Sequence, residues 1–178
     1  MAGDHPAHRP RVGAPGREEI ALADGTRLVL RPLGPADGAA LTTALHHLSP
    51  RSRYFRFVGV RREFSPEELR FLLGADGERH VALAAWDGVE LAAVARFVIC
   101  GAGPVAEAAV AVIDRAQRRG IGKLLLERLR TAALERGVTC FTGEVHVENA
   151  PMLRLLRKLG GKIGLASLGV CSATLALG

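Results

Sequence analysis

The sequence predicts an α+β domain built on a mixed, mainly antiparallel sheet with about four helices. The chain has 178 residues, of which 48% are hydrophobic, so it is long enough for one substantial core and too short for two full domains. Short apolar runs separated by turn signals follow one another between residues 80 and 113, which is typical of consecutive antiparallel strands. Apolar residues at helical spacing recur on both sides of this block.

The elements are expected in the order β-α-α-β-β-β-α-β-α-β-β. Residues 1–18 are polar, rich in proline and glycine and without periodicity, which predicts a disordered tail before a single domain over residues 19–178. Strands are expected at 26–31, 80–86, 91–100, 105–113 and 139–147, with one or two more within 163–177. Helices are expected at 34–48, 65–73, 118–136 and 150–159. Asp87-Gly88 is a two-residue hairpin signal, and Ser65-Pro66 with Glu68 predicts a capped helix start.

The formal charge of +6 rests on 21 arginines and only 3 lysines, a bias that suits contacts to phosphate or carboxylate. Five arginines and no acid lie within residues 51–62, which indicates either a solvated face or a surface for nucleic acid or an acidic protein. The three cysteines are far apart and outside metal or disulfide spacings, so we expect a reducing, cytoplasmic location and no metal site. No apolar run reaches the roughly 18 residues of a membrane span.

The segment over residues 106–126 carries the strongest chemical signal, because a buried-looking strand runs through a basic turn directly into a helix. The first amides of a helix lack internal partners and carry the positive end of its dipole. Gly120 and Gly122 let a pyrophosphate approach the backbone, and Arg118, Arg119 and Lys123 add positive charge. A P-loop is excluded, since that motif requires glycine where this chain has Gln117.

Residues Gln117-Arg118-Arg119-Gly120-Ile121-Gly122 have the form Q/R-x-x-G-x-G/A. With the preceding strand they resemble the acetyl-CoA-binding signature of the GNAT superfamily of N-acetyltransferases. The run over 148–160 is similar to that family's later N-x-x-M-L-x-L-x-x-K-L-G-F segment. Residues 48–57, 65–69 and 106–107 further resemble the catalytic domain of bacterial Pat-like protein lysine acetyltransferases.

This resemblance implies an α/β/α sandwich in which two central strands splay apart and the cofactor's pantetheine arm lies in the gap. Carried over by position, it implies an acetyl-CoA site with backbone contacts from two residues, pyrophosphate contacts from the turn, and one contact from the following helix. Those residues are Val112 and Ile113, then Gln117, Arg118, Arg119, Gly120, Ile121, Gly122 and Lys123, and finally Asn149. A backbone N–H at Val112 or Ile113 is also expected to stabilise the developing oxyanion.

Acetylation of an amine requires a base, because an amine with a pKa near 10.4 is only about 0.1% neutral around pH 7.4. Glu107 is the expected base, since it is the only acid in residues 106–113, near the expected mouth of the gap, and the resemblance assigns a glutamate there. The structural alternative is that Glu107 pairs with Arg96. Glu144 and His146, two residues apart on the next strand, are the fallback base and a relay, or ordinary polar strand positions.

The sequence departs from the family pattern at two positions. Leu156 stands where many members have a tyrosine that can protonate the leaving thiolate, and Gly161 replaces the usual phenylalanine. A thiol with a pKa near 8.5 is a fair leaving group unaided, so the reaction does not require the tyrosine.

We therefore expect an acetyl-CoA-dependent N-acetyltransferase that acts by direct attack of a primary amine, with a protein lysine as the acceptor. The alternatives are a small amine such as a polyamine, antibiotic or amino acid, a non-enzymatic acyl-CoA sensor, and a basic nucleic-acid-binding module.

Overall fold

The computed structural model describes residues 16–57 and 62–178, which form eight strands and five helices. The strands are β1 (Glu18–Ala21), β2 (Arg27–Pro32), β3 (His80–Asp87), β4 (Glu90–Ile99), β5 (Val105–Val112), β6 (Cys140–His146), β7 (Lys162–Ser167) and β8 (Val170–Ala176). The helices are α1 (Gly38–His46), α2 (Pro50–Phe57), α3 (Pro66–Leu73), α4 (Ile121–Leu134) and α5 (Ala150–Lys158). Short 3-10 turns at Pro35–Asp37 and Asp114–Ala116 precede α1 and α4.

All eight strands join one sheet in the order β1-β2-β3-β4-β5-β6-β8-β7. Every neighbouring pair is antiparallel except β5 and β6, which run parallel. The predicted mixed, mainly antiparallel sheet is therefore confirmed. The predicted strand and helix order is correct apart from two additions, β1 and α2.

The parallel pair in the middle of the sheet is short. β5 and β6 pair only at Val105 with Cys140, Ala106 with Phe141 and Glu107 with Thr142. Beyond these positions β5 continues to Val112 and β6 to His146 without pairing to each other. The predicted splay of the central strands is present, and it opens a gap in the sheet.

Helices cover both faces of the sheet. On one face α4 buries Ile121, Leu125 and Leu129 against the central strands, where each is at most 1% exposed. On the opposite face α1 and α3 pack over an apolar cluster centred on Trp86 and Leu91. A third cluster joins α5 to β6 and β8. These layers form the expected α/β/α sandwich.

Several boundaries differ from the sequence predictions for local reasons. β1 begins at Glu18, which is the last residue of the predicted disordered tail. Residues 1–15 of that predicted tail lie outside the described residues. The β3–β4 loop is Gly88-Val89, because Asp87 pairs with Glu90 and Gly88 takes the positive φ. α4 begins at Ile121 and not at residue 118, because Arg118 and Gly120 both have positive φ and lie outside the helix.

No helix in the described part of the chain is both long and apolar enough to cross a membrane.

Candidate active site

A cleft of about 1270 Å³ lies in the gap between β5 and β6. It exceeds the roughly 300–1,000 Å³ of most small-molecule pockets, so it has room for an elongated ligand. α2 and the N-terminal ends of α4 and α5 form its rim. Ten of the sequence-predicted site residues line it: Glu107, Val112, Gln117, Arg118, Gly120, Ile121, Gly122, Lys123, Glu144 and Asn149. The other three, Ile113, Arg119 and His146, do not line the cleft.

The backbone of β5 presents alternate residues to the gap. The N–H of Ile113 donates to the carbonyl of Ala92 on β4 at 3.0 Å. The backbone N–H of Ile113 therefore faces β4 and not the gap. Residues 108, 110 and 112 therefore face the gap, since neighbouring residues of a strand direct their N–H and C=O groups to opposite sides. In agreement, the carbonyl of Ala108 lies 3.0 Å from where a Cβ of Gly143 on β6 would stand.

One of the backbone groups that face the gap already has a partner. The side-chain amide of Gln117 donates a hydrogen bond to the carbonyl of Val112 at 3.1 Å. The N–H groups of Val110 and Val112 remain directed into the gap. Val110 was not among the sequence candidates. Alternation along the strand is readable from sequence, but which half of the residues faces the gap depends on the pairing with β4.

The turn before α4 is shaped to receive an anion. Arg118 has a φ of 62° and Gly120 a φ of 86°, which curves the backbone into a concave loop. In the described part of the chain, no backbone N–H from residue 118 to residue 123 donates a hydrogen bond. The first hydrogen bond of the helix is donated by the N–H of Leu124 to the carbonyl of Gly120 at 3.0 Å. Successive free N–H groups in such a loop form an anion-binding nest, reinforced by the helix dipole.

Gly122 in the first turn of α4 has close neighbours on β5 and α5. A Cβ at this position would stand 3.7 to 3.9 Å from side chains of Val112, Leu155 and Val110, which is ordinary contact distance. A residue no larger than alanine fits there without displacing β5.

The basic residues of the turn have different partners. Arg118 and Lys123 are exposed at the cleft, and the Lys123 ammonium lies 3.4 Å from Glu127. Arg119 instead points to the β1–β2 turn, where its Nε donates to Asp24 at 2.8 Å and its guanidinium also bonds the Thr26 hydroxyl. Hydrogen bonding from Arg119 lowers the pKa of the Asp24 carboxyl well below its ordinary value. Arg119 thus anchors the turn to the sheet edge.

Glu107 is exposed and stands at the last paired position of β5, where the gap begins. Its side chain lies on the face of the sheet that also carries Arg96 and Thr142. Arg96 is half-buried, and burial lowers its pKa while the negative charge of Glu107 opposes that shift. No ion pair within 4 Å joins the two residues in the described structure. The Glu107 carboxylate is therefore accessible from the cleft.

Of the two fallback residues, only Glu144 is at the cleft. It is exposed on β6, across the gap from Glu107 and on the same face. His146 is 8% exposed, and its ring contacts Tyr54 and Phe55 of α2 with centroids 5.1 and 5.2 Å away. Its Nδ1 accepts a hydrogen bond from the N–H of Glu148 at 3.2 Å. His146 therefore packs α2 against β6.

Asp114 organises the rim of the cleft, and sequence reasoning did not identify it. Its carboxylate accepts from the N–H and hydroxyl of Ser49, at 2.8 and 2.9 Å, and from the hydroxyl of Ser52 at 2.9 Å. Gln117 donates to the same Ser52 hydroxyl at 3.3 Å. The start of α2 is thus tied to the turn that precedes α4. Ser49 followed by Pro50 is a helix-start signal that could have revealed α2.

Asn149 caps α5, and its side-chain oxygen accepts from the N–H of Met152 at 3.3 Å. Leu156, in the same helix, is 8% exposed and packs with Val145 and Leu153. It lines the cleft without offering a proton. No group of three or more potential metal ligands occurs among the described residues.

A sheet that splays beside a free helix N-terminus, with backbone N–H groups along one edge of the gap, is the arrangement that the family resemblance implied for an acyltransferase that binds a coenzyme A thioester. The family model of the Acetyltransferase (GNAT) family matches residues 43–161, and the chain belongs to this family. This match confirms the resemblance seen at residues 117–122 and 148–160.

Two curated relatives and one solved structure are similar to this chain. The chain is 31% identical over 121 residues to an acetyltransferase of Pseudomonas aeruginosa, covering 66% of this chain and 65% of that protein. It is 30% identical over 154 residues to the acetyltransferase Pat of Mycolicibacterium smegmatis, covering 85% of this chain and 46% of that protein. The chain thus spans about half to two thirds of these relatives. The crystal structure of the GNAT domain of S. lividans PAT superposes with a TM-score of 0.84 at 28% identity, covering 90% of this chain and 96% of that domain.

Proposed function

We propose that this chain transfers an acetyl group from acetyl-CoA to a lysine side chain of a protein, and that Glu107 is the base. The observation that carries the proposal is the open face around Glu107. Residues paired across adjacent strands share a face, so Glu144, Ser172 and Thr174 stand on the same face as Glu107, and all three are exposed. An open face is accessible to a lysine on a large protein acceptor, whereas it does not enclose a small free amine. The similarity to Pat of Mycolicibacterium smegmatis supports the same acceptor class.

Acetyl-CoA supplies an activated thioester. In the proposal, the free N–H groups of residues 118–123 hold its pyrophosphate, with Arg118 and Lys123 adding charge. Gln117 holds the end of β5 in place and thereby sets the position of the Val112 N–H. Asn149 contacts the pantetheine arm from the start of α5. Ile113, whose N–H is bonded to Ala92, has no direct part, and Val110 takes its place.

Two groups of the chain act during transfer. Glu107 accepts the proton of the attacking amine, directly or through water, which is the step that an amine with a pKa near 10.4 requires. The N–H of Val112 or Val110 donates to the thioester carbonyl oxygen as negative charge develops there. A positioned donor of this kind contributes roughly 3 kcal/mol. Because Leu156 has no proton to give, the thiolate leaves unaided.

The acceptor class is tested by transfer of radiolabelled acetyl from acetyl-CoA into a host cell lysate that is then separated into protein and small molecules. We expect label in protein, recovered as acetyl-lysine after digestion. Label confined to the small molecules would overturn the protein-lysine proposal and leave the acetyl-CoA chemistry intact.

The base is tested with Glu107→Gln, which keeps the shape of the side chain and removes its basicity. Turnover should fall at least about 100-fold while the affinity for acetyl-CoA stays near wild type, because Glu107 lies away from the α4 turn. Glu144→Gln is the matched control, since it removes a carboxylate from the opposite rim of the same gap. Full activity in Glu107→Gln, or a loss confined to Glu144→Gln, would show that Glu107 is not the base.

A further inference from the structure

A second, smaller cavity of about 60 Å³ lies beside the cleft, between the sheet and helices α1 to α3. Among the described residues its walls are apolar side chains, with Arg56 and Arg96 as the two charged groups and no acid. Leu48, Phe57, Ala109 and Ala111 line both this cavity and the cleft, so the two spaces adjoin. The chemistry of its walls matches a short aliphatic chain that ends in a negative charge.

Arg96 is the unusual member of this cavity. It stands on β4 between Ala82 of β3 and Ala109 of β5, and the two small neighbours leave space around its guanidinium. The guanidinium lies over the ring of Phe71, 5.0 Å from the centroid. Its Nη1 is buried and has no hydrogen-bond partner among the described residues. A buried N–H group without a hydrogen bond costs free energy, so a ligand acceptor that reaches Nη1 would stabilise the protein.

The ionisable neighbours of Arg96 do not supply that partner. Glu107 acts on it only at a distance beyond an ion pair. His80 lies on β3 beside Phe71, and burial and the charge of Arg96 lower its pKa. A histidine side chain is neutral or positive, so it does not supply a negative partner. The wall of the cavity therefore presents positive charge to whatever enters from the cleft.

We propose that Arg96 forms a carboxylate-binding subsite for a molecule that reacts in the cleft. Guanidinium and carboxylate form paired, charge-assisted hydrogen bonds, and the apolar walls accommodate the few methylene groups behind the carboxylate. The carboxylate has two chemical sources. It belongs either to the acceptor, as an acidic residue next to the target lysine, or to the acyl group of a donor derived from a short dicarboxylic acid. The subsite rests on the proposed transfer, because it adjoins the cleft in which that transfer is placed.

Direct binding of succinate to the full chain, measured by calorimetry, tests the subsite without any turnover. Arg96→Met keeps the aliphatic stem and removes the charge, and it should weaken succinate binding at least tenfold. Arg70→Met is the matched control, because Arg70 is exposed on α3 and lines neither space. Thermal unfolding of Arg96→Met at or above the wild-type temperature would show that the variant folds. No binding by the wild type, or equal binding by Arg96→Met, would overturn the subsite.

Two kinetic comparisons distinguish the sources of the carboxylate. If the donor carries it, Arg96→Met lowers kcat/KM for succinyl-CoA relative to acetyl-CoA at least tenfold. If the acceptor carries it, the same variant lowers kcat/KM for a lysine peptide flanked by glutamate relative to one flanked by glutamine. An unchanged ratio in both comparisons would overturn the proposal. Succinate binding that depends on Arg96 without acetylation of any peptide would instead contradict the proposed function and leave the subsite standing.

Discussion

Gly120 is the residue whose replacement separates backbone shape from charge at the anion-binding turn. Its φ of 86° disfavours most side chains, but nothing stands within 4 Å of a Cβ built there. Aspartate and asparagine both tolerate this left-handed conformation. Gly120→Asp and Gly120→Asn should therefore fold with a similar small backbone strain, and only Gly120→Asp places a carboxylate against the pyrophosphate.

Two like unit charges about 4 Å apart near a protein surface repel by about 4 kcal/mol, so Gly120→Asp should weaken acetyl-CoA binding more than about 100-fold. Gly120→Asn has the same shape without the charge and should bind much more tightly than Gly120→Asp. Titration of each variant with acetyl-CoA measures the difference. Equal affinities in the two variants would mean that the turn does not face the pyrophosphate.

The sequence identified the composition of the turn before α4 but not the direction of each side chain. Arg118, Arg119 and Lys123 are equivalent as positive charges in a sequence, yet Arg119 bonds Asp24 and Thr26, more than 90 residues earlier in the chain. His146 lies two residues from Glu144 but packs under α2. Such partners are set by long-range packing, which a local pattern does not contain.

Asn149 combines a structural and a proposed binding role at the start of α5. Replacing an N-cap with alanine costs about 1 kcal/mol, whereas serine retains the cap. Asn149→Ala should therefore lower the free energy of unfolding by about that amount, and Asn149→Ser should not. If the side-chain amide also contacts the pantetheine arm, both variants lose acetyl-CoA affinity.

For both Asn149 variants, urea unfolding measures the loss of the helix cap, and titration with acetyl-CoA measures the loss of binding. Wild-type affinity in Asn149→Ser, together with weakened binding in Asn149→Ala, would show that Asn149 only caps the helix. α5 holds Leu153 and Leu156 against β6, so a loosened helix start is expected to disturb that side of the cleft.

At the element scale, the strands and helices with strong periodicity were predictable, and the two elements without it were not. α3 carries the capping box that its sequence predicts, with Ser65 accepting from the N–H of Glu68 at 3.2 Å. α2 buries none of its residues and has no apolar stripe, so its helical state depends on Asp114 and on contacts to β6. β1 has only four residues and forms by pairing with β2.

At the scale of the whole molecule, the fold class followed from the alternation of apolar runs, because core burial dictates that pattern directly. The splay between β5 and β6 did not follow from periodicity. It came from the family resemblance, since the apolar residues that line the gap are the same types that would fill a closed sheet. Asp114, which ties the start of α2 to the turn before α4, was also missed, because its partners lie more than 60 residues away.

The connection between the sheet and α1 gives a test of global stability against pH. Asp37, which is 7% exposed, accepts two hydrogen bonds from Arg31 at 2.6 and 2.8 Å and one from the N–H of Gly34 at 2.8 Å. The Arg31 guanidinium also lies over Trp86, 4.3 Å from the ring centroid. Hydrogen bonding from Arg31 holds the pKa of the Asp37 carboxyl below its ordinary value.

A carboxyl whose pKa is lower in the folded state stabilises the fold fully above its unfolded pKa of about 3.9, and this contribution is lost as the pH falls towards the folded pKa. Hydrogen bonds to charged groups contribute about 1.5–3 kcal/mol, so Asp37→Asn should lower the free energy of unfolding by about 2 kcal/mol at pH 7. The difference from the wild type should shrink below about pH 4, where Asp37 in the unfolded chain becomes protonated before Asp37 in the fold. Urea unfolding of both proteins at several pH values, with the exposed Glu63→Gln as control, measures this difference. If the difference in unfolding free energy between the wild type and Asp37→Asn stays constant from pH 7 to pH 3, the ionised carboxylate of Asp37 does not stabilise the fold.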